Sequence, residues 1–356
     1  MIIGILGGGQ LARMMALAGH PMGHRFVFLD PAPDACAAAL GELLVAPYDD
    51  QNALARLAQK VDVVTFDFEN VPATSLAFLA QQIPVFPPPA ALQAAQDRLV
   101  EKNLFRQLGI STADYMAVAT RDDLTQAVAH LGLPAILKTR TAGYDGKGQW
   151  LLRNQIDVTN AWSELAGRAA ILEAFIAFER EVSAVGVRGQ SGETLFYPLA
   201  ENTHRDGVLF QTLNTTDDPM QTRAEQQTSL LLNALSYVGV IAVEFFQVGD
   251  NLLANEFAPR VHNSGHWTIE GTETSQFENH LRAVTGQPLG QTFARGHFAM
   301  LNLIGSMPEA QAVLAIPGAH LHDYGKAPRP GRKIGHVTVH CGDRTPAVPD
   351  SLLDLL

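Results

Sequence analysis

The sequence predicts a mixed α/β protein whose first domain is a parallel sheet covered by helices on both faces. Three apolar runs within the first 66 residues alternate with helix-like segments, and this β–α–β–α–β order requires parallel strands. From residue 97 onward, longer strands mix with helices, and a smaller β-rich region follows residue 290. A chain of 356 residues is long enough for two or three such domains.

The N-terminal elements are bounded by turn residues. Apolar strands are predicted at residues 2–6, 25–29 and 61–66, and helices at residues 11–18 and 52–59. Glycines follow the first strand, Asp30 ends the second, and prolines accumulate from Pro84 to Pro89. This proline-rich stretch predicts a boundary near residues 90–97, so we place the first domain at residues 1–96.

The region from residue 97 to residue 290 is predicted to contain more strands than helices. The helices are expected at residues 98–108, 229–237 and 275–283, and the strands at residues 135–139, 150–152, 171–173, 181–187, 194–199, 240–248 and 252–258. Ser275 and Glu278 have the spacing of a capping box at the start of the last helix. Residues 291–356 form the third predicted domain, a small β-rich one.

Composition narrows the possible functions. The chain has 36 acidic and 25 basic residues and a net charge of -11, which argues against a protein that wraps nucleic acid. Two cysteines, Cys36 and Cys341, are too few for a disulfide framework or a zinc cluster, and we expect buried thiols in a reducing compartment. No apolar run approaches 18 residues and no targeting segment precedes the first strand, so we expect a soluble cytoplasmic protein.

A glycine-rich turn connects the first strand to the first helix. Gly7, Gly9 and Ala12 fit the pattern G-x-G-x-x-A, and Asp30 ends the next strand, as in dinucleotide-binding sites. The same backbone amides at a helix N-terminus can hold any phosphate group. A nicotinamide cofactor, another phosphorylated ligand and a tight turn without a ligand therefore all stay open.

A lysine in an apolar strand is the second candidate. Lys138 ends the run Ala-Ile-Leu-Lys, and the loop after it, residues 141–149, contains three glycines. An ammonium group in such a strand is costly unless a partner such as a phosphate meets its charge. The loop is able to fold over the same phosphate and offer its amides. A surface lysine beside a flexible hairpin is the alternative.

Two glutamates supply the most specific signal. A hairpin centred on Asp250 pairs Val248 with Leu252. In the same register Glu244 lies directly opposite Glu256, with the side chains about 4.5–5.5 Å apart at Cβ. Such a pair requires either a shared proton or a divalent cation, and oxygen ligands favour magnesium. A one-residue bulge would place the two carboxylates on opposite faces, so the predicted site depends on the register.

Two further polar segments complete the candidates. His262 and His266 have the spacing of zinc ligands on a helix, but Gly265 and the absence of a neighbouring glutamate argue against zinc. With Arg260 beside it, this loop suits a small anion better. The basic run at residues 329–333 is either a second anion site or a solvated surface turn.

Three segments carry a family resemblance: RTAGYDGKGQW at residues 140–150, NEFAPRVHNSGHWT at residues 255–268 and RPGRKIGHV at residues 329–337. Together with the lysine strand and the paired glutamates, they resemble the ATP-grasp superfamily and, within it, the 5-(carboxyamino)imidazole ribonucleotide synthase family of purine biosynthesis. The likeness spans almost the whole chain. It implies an ATP-grasp fold with a Rossmann-like N-terminal domain, a lid at about residues 115–175 and a C-terminal β-rich domain.

The resemblance also implies a reaction. ATP and bicarbonate carboxylate the exocyclic amine of 5-aminoimidazole ribonucleotide through carboxyphosphate, and the products are 5-(carboxyamino)imidazole ribonucleotide, ADP and phosphate. Magnesium (Mg2+) and a homodimer are implied as well. Another ATP-grasp ligase, such as a formate-dependent ribonucleotide transformylase, and a nucleotide-binding regulator without catalysis stay open, as does the nicotinamide-dependent oxidoreductase.

The resemblance assigns roles to individual positions. The positions implied to contact ATP are Arg98, Lys138, Gly143, Tyr144, Asp145, Gly146, Lys147, Gly148, Gln149, Glu173, Ala174, Phe175, Ile176, Glu181, His204, Asn255 and Glu256. The substrate-binding positions are Gly8, Gly9, Gln10, Arg260, His262, Asn263, Lys326, Arg332 and Lys333. The catalytic positions are Asp145, Arg260 and Lys333, and the metal ligands are Glu244 and Glu256. Many ATP-grasp enzymes have an asparagine where this chain has Ala258, so we expect water and phosphate to complete the metal shell.

Overall fold

The computed structural model describes residues 1–143, 146–342 and 347–355 and arranges them in three β-sheets flanked by helices. This architecture confirms the predicted mixed α/β class. Among the helices that the structure describes, none has the length and hydropathy needed to cross a membrane.

The first sheet is the predicted parallel one. Its segment of the chain contains β1 (Ile2–Leu6), α1 (Gln10–Gly19), β2 (Arg25–Asp30), β3 (Glu42–Val45), α2 (Gln51–Lys60), β4 (Val63–Phe66), α3 (Ala73–Ala80) and α4 (Pro89–Ala95). The strands lie in the order β3-β2-β1-β4, and every neighbouring pair is parallel. The sequence prediction lacks β3 because this edge strand has exposed ends and no buried apolar run.

The second sheet is small and antiparallel. After α5 (Arg98–Gln107) come β5 (Tyr115–Val118), α6 (Arg121–Leu131), β6 (Ala135–Thr139), β7 (Gln149–Leu152), α7 (Gln155–Leu165) and β8 (Ala170–Ala174). The strand order is β5-β8-β6-β7. Apolar residues of α6, α7 and the sheet form one core, which includes Leu124, Leu137 and Val158. Lys138 lies near the end of β6, where the glycine loop begins.

The third sheet contains nine strands. Its segment of the chain contains β9 (Arg180–Arg188), β10 (Thr194–Phe196), β11 (Ala200–Arg205), β12 (Val208–Asn214), α8 (Gln221–Ala234), β13 (Gly239–Val248), β14 (Asn251–Ala258), α9 (Thr268–Gly271), α10 (Gln276–Val284), β15 (His297–Ile304), α11 (Ala310–Leu314), β16 (Ala319–Asp323), β17 (Lys333–Gly342) and α12 (Asp350–Leu353). The order is β14-β13-β9-β11-β12-β15-β17-β16, and β10 pairs with β9. The hairpin β13–β14 and the C-terminal strands therefore belong to one hydrogen-bonded sheet.

Two predicted element bounds are wrong. The helix expected at residues 229–237 is α8, which begins eight residues earlier because its polar first half shows no apolar spacing, and which ends at Ala234. The strand expected at residues 194–199 ends at Phe196, shortly before Pro198, which has no amide to donate to a ladder.

Two side-chain predictions also differ from the structure. Ser275 caps α10 by accepting from the Glu278 amide, but within the described residues the Glu278 carboxylate is taken by Arg282 and does not complete the capping box. Cys36 and Cys341 are free thiols, but each is partly exposed where we expected burial.

Candidate active site

One cleft of about 1150 Å³ collects residues from all three sheets and their loops. The sequence-predicted site residues that line it are Gly9, Gln10, Arg98, Lys138, Gly143, Gly146, Lys147, Gln149, Glu181, His204, Glu244, Asn255, Glu256, Arg260, His262, Asn263, Lys326, Arg332 and Lys333. The basic run at residues 329–333 faces this cleft, which favours the anion site over the solvated turn.

The other predicted positions lie elsewhere. Gly148 borders an adjoining pocket of about 390 Å³. Glu173 is only 2% exposed and lies behind the cleft wall, and residues 174–176 follow it at the end of β8. Tyr144 and Asp145, the latter a predicted catalytic residue, lie outside the residues that the structure describes.

The two glutamates face each other across the hairpin, as predicted. Glu244 on β13 is the direct partner of Glu256 on β14. Near the turn, however, Val248 pairs with Asn251, one residue earlier than predicted. A β-bulge, in which Asn255 is the extra residue, restores the alignment of the glutamates. The bulge therefore does not separate the carboxylates; it is required to bring them together, because the turn is shorter than predicted.

Arg98 compensates part of the charge of this pair. Its guanidinium donates to the Glu256 carboxylate at 2.6 Å. Burial opposes the ionisation of Glu256, but Arg98, with contributions from Lys138 and Lys102, outweighs it and lowers the pKa of Glu256 to about 2. Burial, together with the facing Glu256, raises the pKa of Glu244 to about 7. Besides the shared proton and the divalent cation that the sequence suggests, an arginine thus contributes to the stability of the pair.

Lys138 lies in a buried charged cluster. Its ammonium donates to the Glu173 carboxylate at 2.9 Å and to the Asn255 side-chain oxygen at 3.3 Å. Lys102 of α5 lies 3.4 Å from the same carboxylate. Burial would raise the pKa of Glu173, but the two lysines lower it to about 2. A protein carboxylate thus stabilises Lys138 in the apolar strand and fixes its ammonium at the cleft.

The glycine loop after Lys138 begins at a rigid point. Arg140 binds Asp97 through two hydrogen bonds of 3.0 and 2.6 Å. Gly146 and Gly148 have φ angles of 74° and 72°, which side chains disfavour, and a Cβ on Gly148 would lie 2.6 Å from the Thr139 hydroxyl. The glycines are therefore required by the backbone of this loop, and its course brings Lys147 to the cleft.

Glu181 and His204 lie side by side on β9 and β11. The His204 ring nitrogen Nδ1 is 2.6 Å from the Glu181 carboxylate. Burial would lower the pKa of His204, but Glu181 reverses this effect and raises it. Next to them in the cleft lining are Phe178 and Phe246, whose rings stack with centroids 4.7 Å apart. This part of the cleft combines an aromatic surface with a polar ion pair.

The loop after β14 places a neutral histidine beside Glu244. Burial, together with the charge of Arg260, lowers the pKa of His262 well below its usual value. The Ser264 amide donates to His262 Nδ1, so the ring hydrogen lies on Nε2. That nitrogen is 3.5 Å from the Glu244 carboxylate. His262 is therefore a hydrogen-bond donor to whatever occupies this end of the cleft.

Arg260 and Asn263 are tied to protein groups. Arg260 forms an ion pair with Glu69 at 2.9 Å. Asn263 donates one amide hydrogen to His266 and the other to Asn302, whose own amide donates back to Asn263. The amide hydrogens of Asn263 thus hold the loop in place, and its oxygen, which already accepts from Asn302, keeps one lone pair for a ligand.

The N-terminal glycines pack against protein carboxylates. The sequence suggests that the Gly8 amide could bind a phosphate. In the structure this amide donates to Asp30 at 2.7 Å and is not available to a phosphate. A Cβ on Gly7 or Gly9 would overlap with the Asp67 carboxylate, which also accepts from the Ala12 amide. This close approach explains the glycine pattern without a dinucleotide.

Several cleft residues were not predicted. Asp67 and Glu69 follow β4 at the carboxyl end of the parallel sheet. Functional residues often lie at this edge, so the sequence could have indicated both. Phe178 and Phe246, which line the cleft, had no such signal, and neither did Lys102, which contacts Glu173 but does not line the cleft. Within the described part of the chain, no group of three or more His, Cys, Asp or Glu side chains is arranged to hold a metal ion.

Three ranges of the chain match known families. Residues 1–96 match the ribonucleotide synthetase preATP-grasp domain, residues 103–277 the ATP-grasp domain, and residues 299–347 the phosphoribosylaminoimidazole carboxylase C-terminal domain.

Relatives match the chain over nearly its whole length. It is 56% identical over 344 residues to the N5-carboxyaminoimidazole ribonucleotide synthase of Pseudomonas aeruginosa. This alignment covers 97% of this chain and 96% of the relative. The crystal structure of N5-carboxyaminoimidazole ribonucleotide synthetase from Thermus thermophilus superposes with a TM-score of 0.94 at 52% identity, covering 99% of this chain and 97% of that one. The Aspergillus clavatus synthase, solved with ADP and 5-aminoimidazole ribonucleotide, superposes with a TM-score of 0.89 at 30% identity. The superposition covers 96% of this chain and 93% of that one.

Proposed function

This chain belongs to the N5-carboxyaminoimidazole ribonucleotide synthase family of ATP-grasp enzymes, and from that membership we propose how its cleft performs the reaction. The chain is an ATP-dependent ligase of purine biosynthesis that carboxylates 5-aminoimidazole ribonucleotide. The observation that carries the residue assignment is the cleft itself, which holds a buried lysine, two opposed glutamates and a basic run together.

Bicarbonate must be activated first, because hydroxide is a poor leaving group. Transfer of the γ-phosphoryl group of ATP to a bicarbonate oxygen gives carboxyphosphate and ADP. The exocyclic amine of the ribonucleotide then forms a bond to the carboxyl carbon, either directly or after carbon dioxide is released. Phosphate leaves and the amine loses one proton. Each step requires that charged oxygens be held close together and away from water.

Arg98 and Lys138 bind the phosphates of ATP in this proposal. Both side chains line the cleft, and protein acids fix both in place: Arg98 on Glu256 and Lys138 on Glu173. Fixed cations stabilise the charge that develops on the transferring phosphoryl group without having to reorganise. Lys147 and the loop glycines add cationic and amide groups to the same region.

Glu244 and Glu256 are the residues that would hold magnesium. The site fits such an ion, because two directly opposed oxygen donors share it and burial with mutual repulsion raises the pKa of Glu244. Bound magnesium would supply neutralisation of phosphate charge. Ala258 is 7% exposed and offers no side-chain donor, so water and phosphate would complete the shell.

Bicarbonate and the ribonucleotide are proposed to bind next to these glutamates. His262 donates through Nε2, and Arg260 places its charge beside it. Arg332, Lys333 and Lys326 supply the cations for the ribonucleotide phosphate, and Lys326 donates to Gln10 across the cleft. Asp145 remains the proposed group for orienting or deprotonating the amine.

We also propose the predicted domain division at residues 1–96, 97–290 and 291–356, with the lid at about residues 115–175. The ranges of the three family matches support the three domains, and the separate four-stranded sheet of β5 to β8 supports the lid. The homodimer and the cytoplasmic location, which the family resemblance and the sequence suggest, are part of the same proposal. Light scattering of the purified enzyme tests the dimer.

The reaction is tested by measuring ADP release while ATP, bicarbonate and 5-aminoimidazole ribonucleotide are omitted in turn. We expect full release only with all three present. Release that needs formate in place of bicarbonate would indicate a transformylase, and ATP binding without any release would indicate a regulator. The nicotinamide alternative has no support at Asp30, whose carboxylate accepts from Gly8, Ala32 and Tyr48.

A further inference from the structure

We propose that Glu101 and Lys102 are positioning residues that hold the β-bulge at Asn255 and thereby place Glu256 opposite Glu244. The inference rests on the proposed role of these two glutamates as metal ligands and adds the cause of their alignment. Both are buried residues, 2% and 1% exposed, and they lie on a helix outside the hairpin.

One face of α5 contacts one short segment of β14. Four residues share this face, at the spacing of helix neighbours: Arg98, Glu101, Lys102 and Phe105. At one end of the face, Arg98 binds the Glu256 carboxylate at 2.6 Å. At the other end, Phe105 packs edge to face on Phe257, with ring centroids 5.9 Å apart. The two middle residues of the face lie against the backbone between these contacts.

Those two middle residues bind main-chain groups of the bulged segment. Lys102 Nζ donates to the Ala254 carbonyl at 3.2 Å, and the Glu101 carboxylate accepts from the Phe257 amide at 2.6 Å. β14 is the edge strand of its sheet, so its outward main-chain groups need partners other than a strand. The Ala254 amide meets the Ser111 carbonyl at 2.7 Å on the same edge.

The spacing of these contacts fits the bulged strand alone. In a regular strand, main-chain groups two residues apart face the same edge. Ala254 and Phe257 are three residues apart, and both face α5 because Asn255 is the extra residue between them.

Without the bulge, Glu244 and Glu256 would no longer lie opposite each other. If the pairing of the turn region continued without the bulge, Glu244 would lie opposite Asn255, and Glu256 would turn to the other face of the sheet. Lys102 and Glu101 bind both groups at once only in the bulged backbone, because a straight strand would keep the Ala254 carbonyl toward α5 but turn the Phe257 amide away from Glu101. They therefore stabilise the register that the proposed metal site needs.

Two substitutions at Glu101 separate this role from simple packing. Glu101→Gln keeps an oxygen acceptor for the Phe257 amide, whereas Glu101→Leu removes it at similar size. The readout is the dissociation constant for ADP, measured by calorimetry without and with Mg2+. The value without Mg2+ divided by the value with Mg2+ reports how much the metal adds to binding. We expect Glu101→Leu to reduce this ratio about tenfold or more, as loss of a group that supports metal ligands does. Glu101→Gln keeps the wild-type ratio, and neither variant changes ADP affinity without metal.

The outcomes that overturn the inference are specific. A wild-type ratio in Glu101→Leu, accompanied only by a lower unfolding temperature, would assign Glu101 to stability alone. Equal losses in both variants would assign the effect to charge instead of the hydrogen bond. If Glu101→Leu does not fold, Glu101→Met carries the same test, because it also removes the acceptor for the Phe257 amide and has a more flexible side chain. A wild-type enzyme whose ADP affinity is unaffected by Mg2+ contradicts the metal assignment itself.

Discussion

Replacing Glu173 by glutamine is expected to destabilise the protein by about 3 kcal/mol. Glu173 is 2% exposed, and its carboxylate is held by Lys138 at 2.9 Å and Lys102 at 3.4 Å. Its pKa falls from 4.5 to about 2, which corresponds to about 3 kcal/mol of stabilisation in the ionised form. Removal of one partner from a buried ion pair typically costs about 3–5 kcal/mol, so two independent arguments agree.

The loss should depend on pH in a defined direction. Because the pKa of Glu173 is lower in the folded than in the unfolded chain, its contribution is full above about pH 4.5 and disappears as the pH falls toward 2. The difference in unfolding free energy between wild type and Glu173→Gln should therefore stay constant from neutral pH down to about 5 and narrow below it.

Urea unfolding followed by circular dichroism measures this difference. Glu193→Gln is the matched control, because Glu193 is exposed in the turn between β9 and β10 and its substitution should change stability by no more than about 0.5 kcal/mol. Wild-type stability of Glu173→Gln at neutral pH would refute the reasoning. A difference that does not narrow below pH 4.5 would refute the assigned pKa.

Three further substitutions test the cleft. Glu256→Gln should reduce ADP release by about 100-fold or more with an unchanged dichroism spectrum, and full activity would contradict the metal assignment. Lys138→Ala should weaken ATP binding in a calorimetric titration, whereas wild-type affinity would leave this lysine with a structural role only. Lys333→Ala should raise the Michaelis constant for 5-aminoimidazole ribonucleotide by about tenfold and that for ATP less, and equal increases would argue against the phosphate contact.

The residue pattern was sufficient to predict those features that depend on local backbone geometry. The strand–helix alternation of the first 66 residues predicts the parallel sheet correctly, because such an order permits few other arrangements. The opposed glutamates were also found from the hairpin alone. That result depended on two deviations that offset each other, a turn closed by Val248 and Asn251 and a bulge at Asn255.

Other features depend on contacts between distant parts of the chain. The glycines at residues 7–9 suggest a phosphate cradle, but Asp67, which follows β4, occupies the space that they leave. The charge of Lys138 is met by Glu173, which is remote in sequence. The polar half of α8 has no apolar periodicity, so its start was not predicted. In each case the deciding partner is known only once the sheets are assembled.

The continuous nine-stranded sheet has a consequence for how the two substrates are brought together. Glu244 and Lys333 belong to strands of that one sheet, so backbone hydrogen bonds fix the separation between the proposed metal ligands and the proposed cations for the ribonucleotide phosphate. Lys138 belongs to a different, four-stranded sheet. A movement of the small sheet would therefore change the distance from Lys138 to the proposed ATP position. The distance between Glu244 and Lys333, across which the carboxyl group would be transferred, would stay the same.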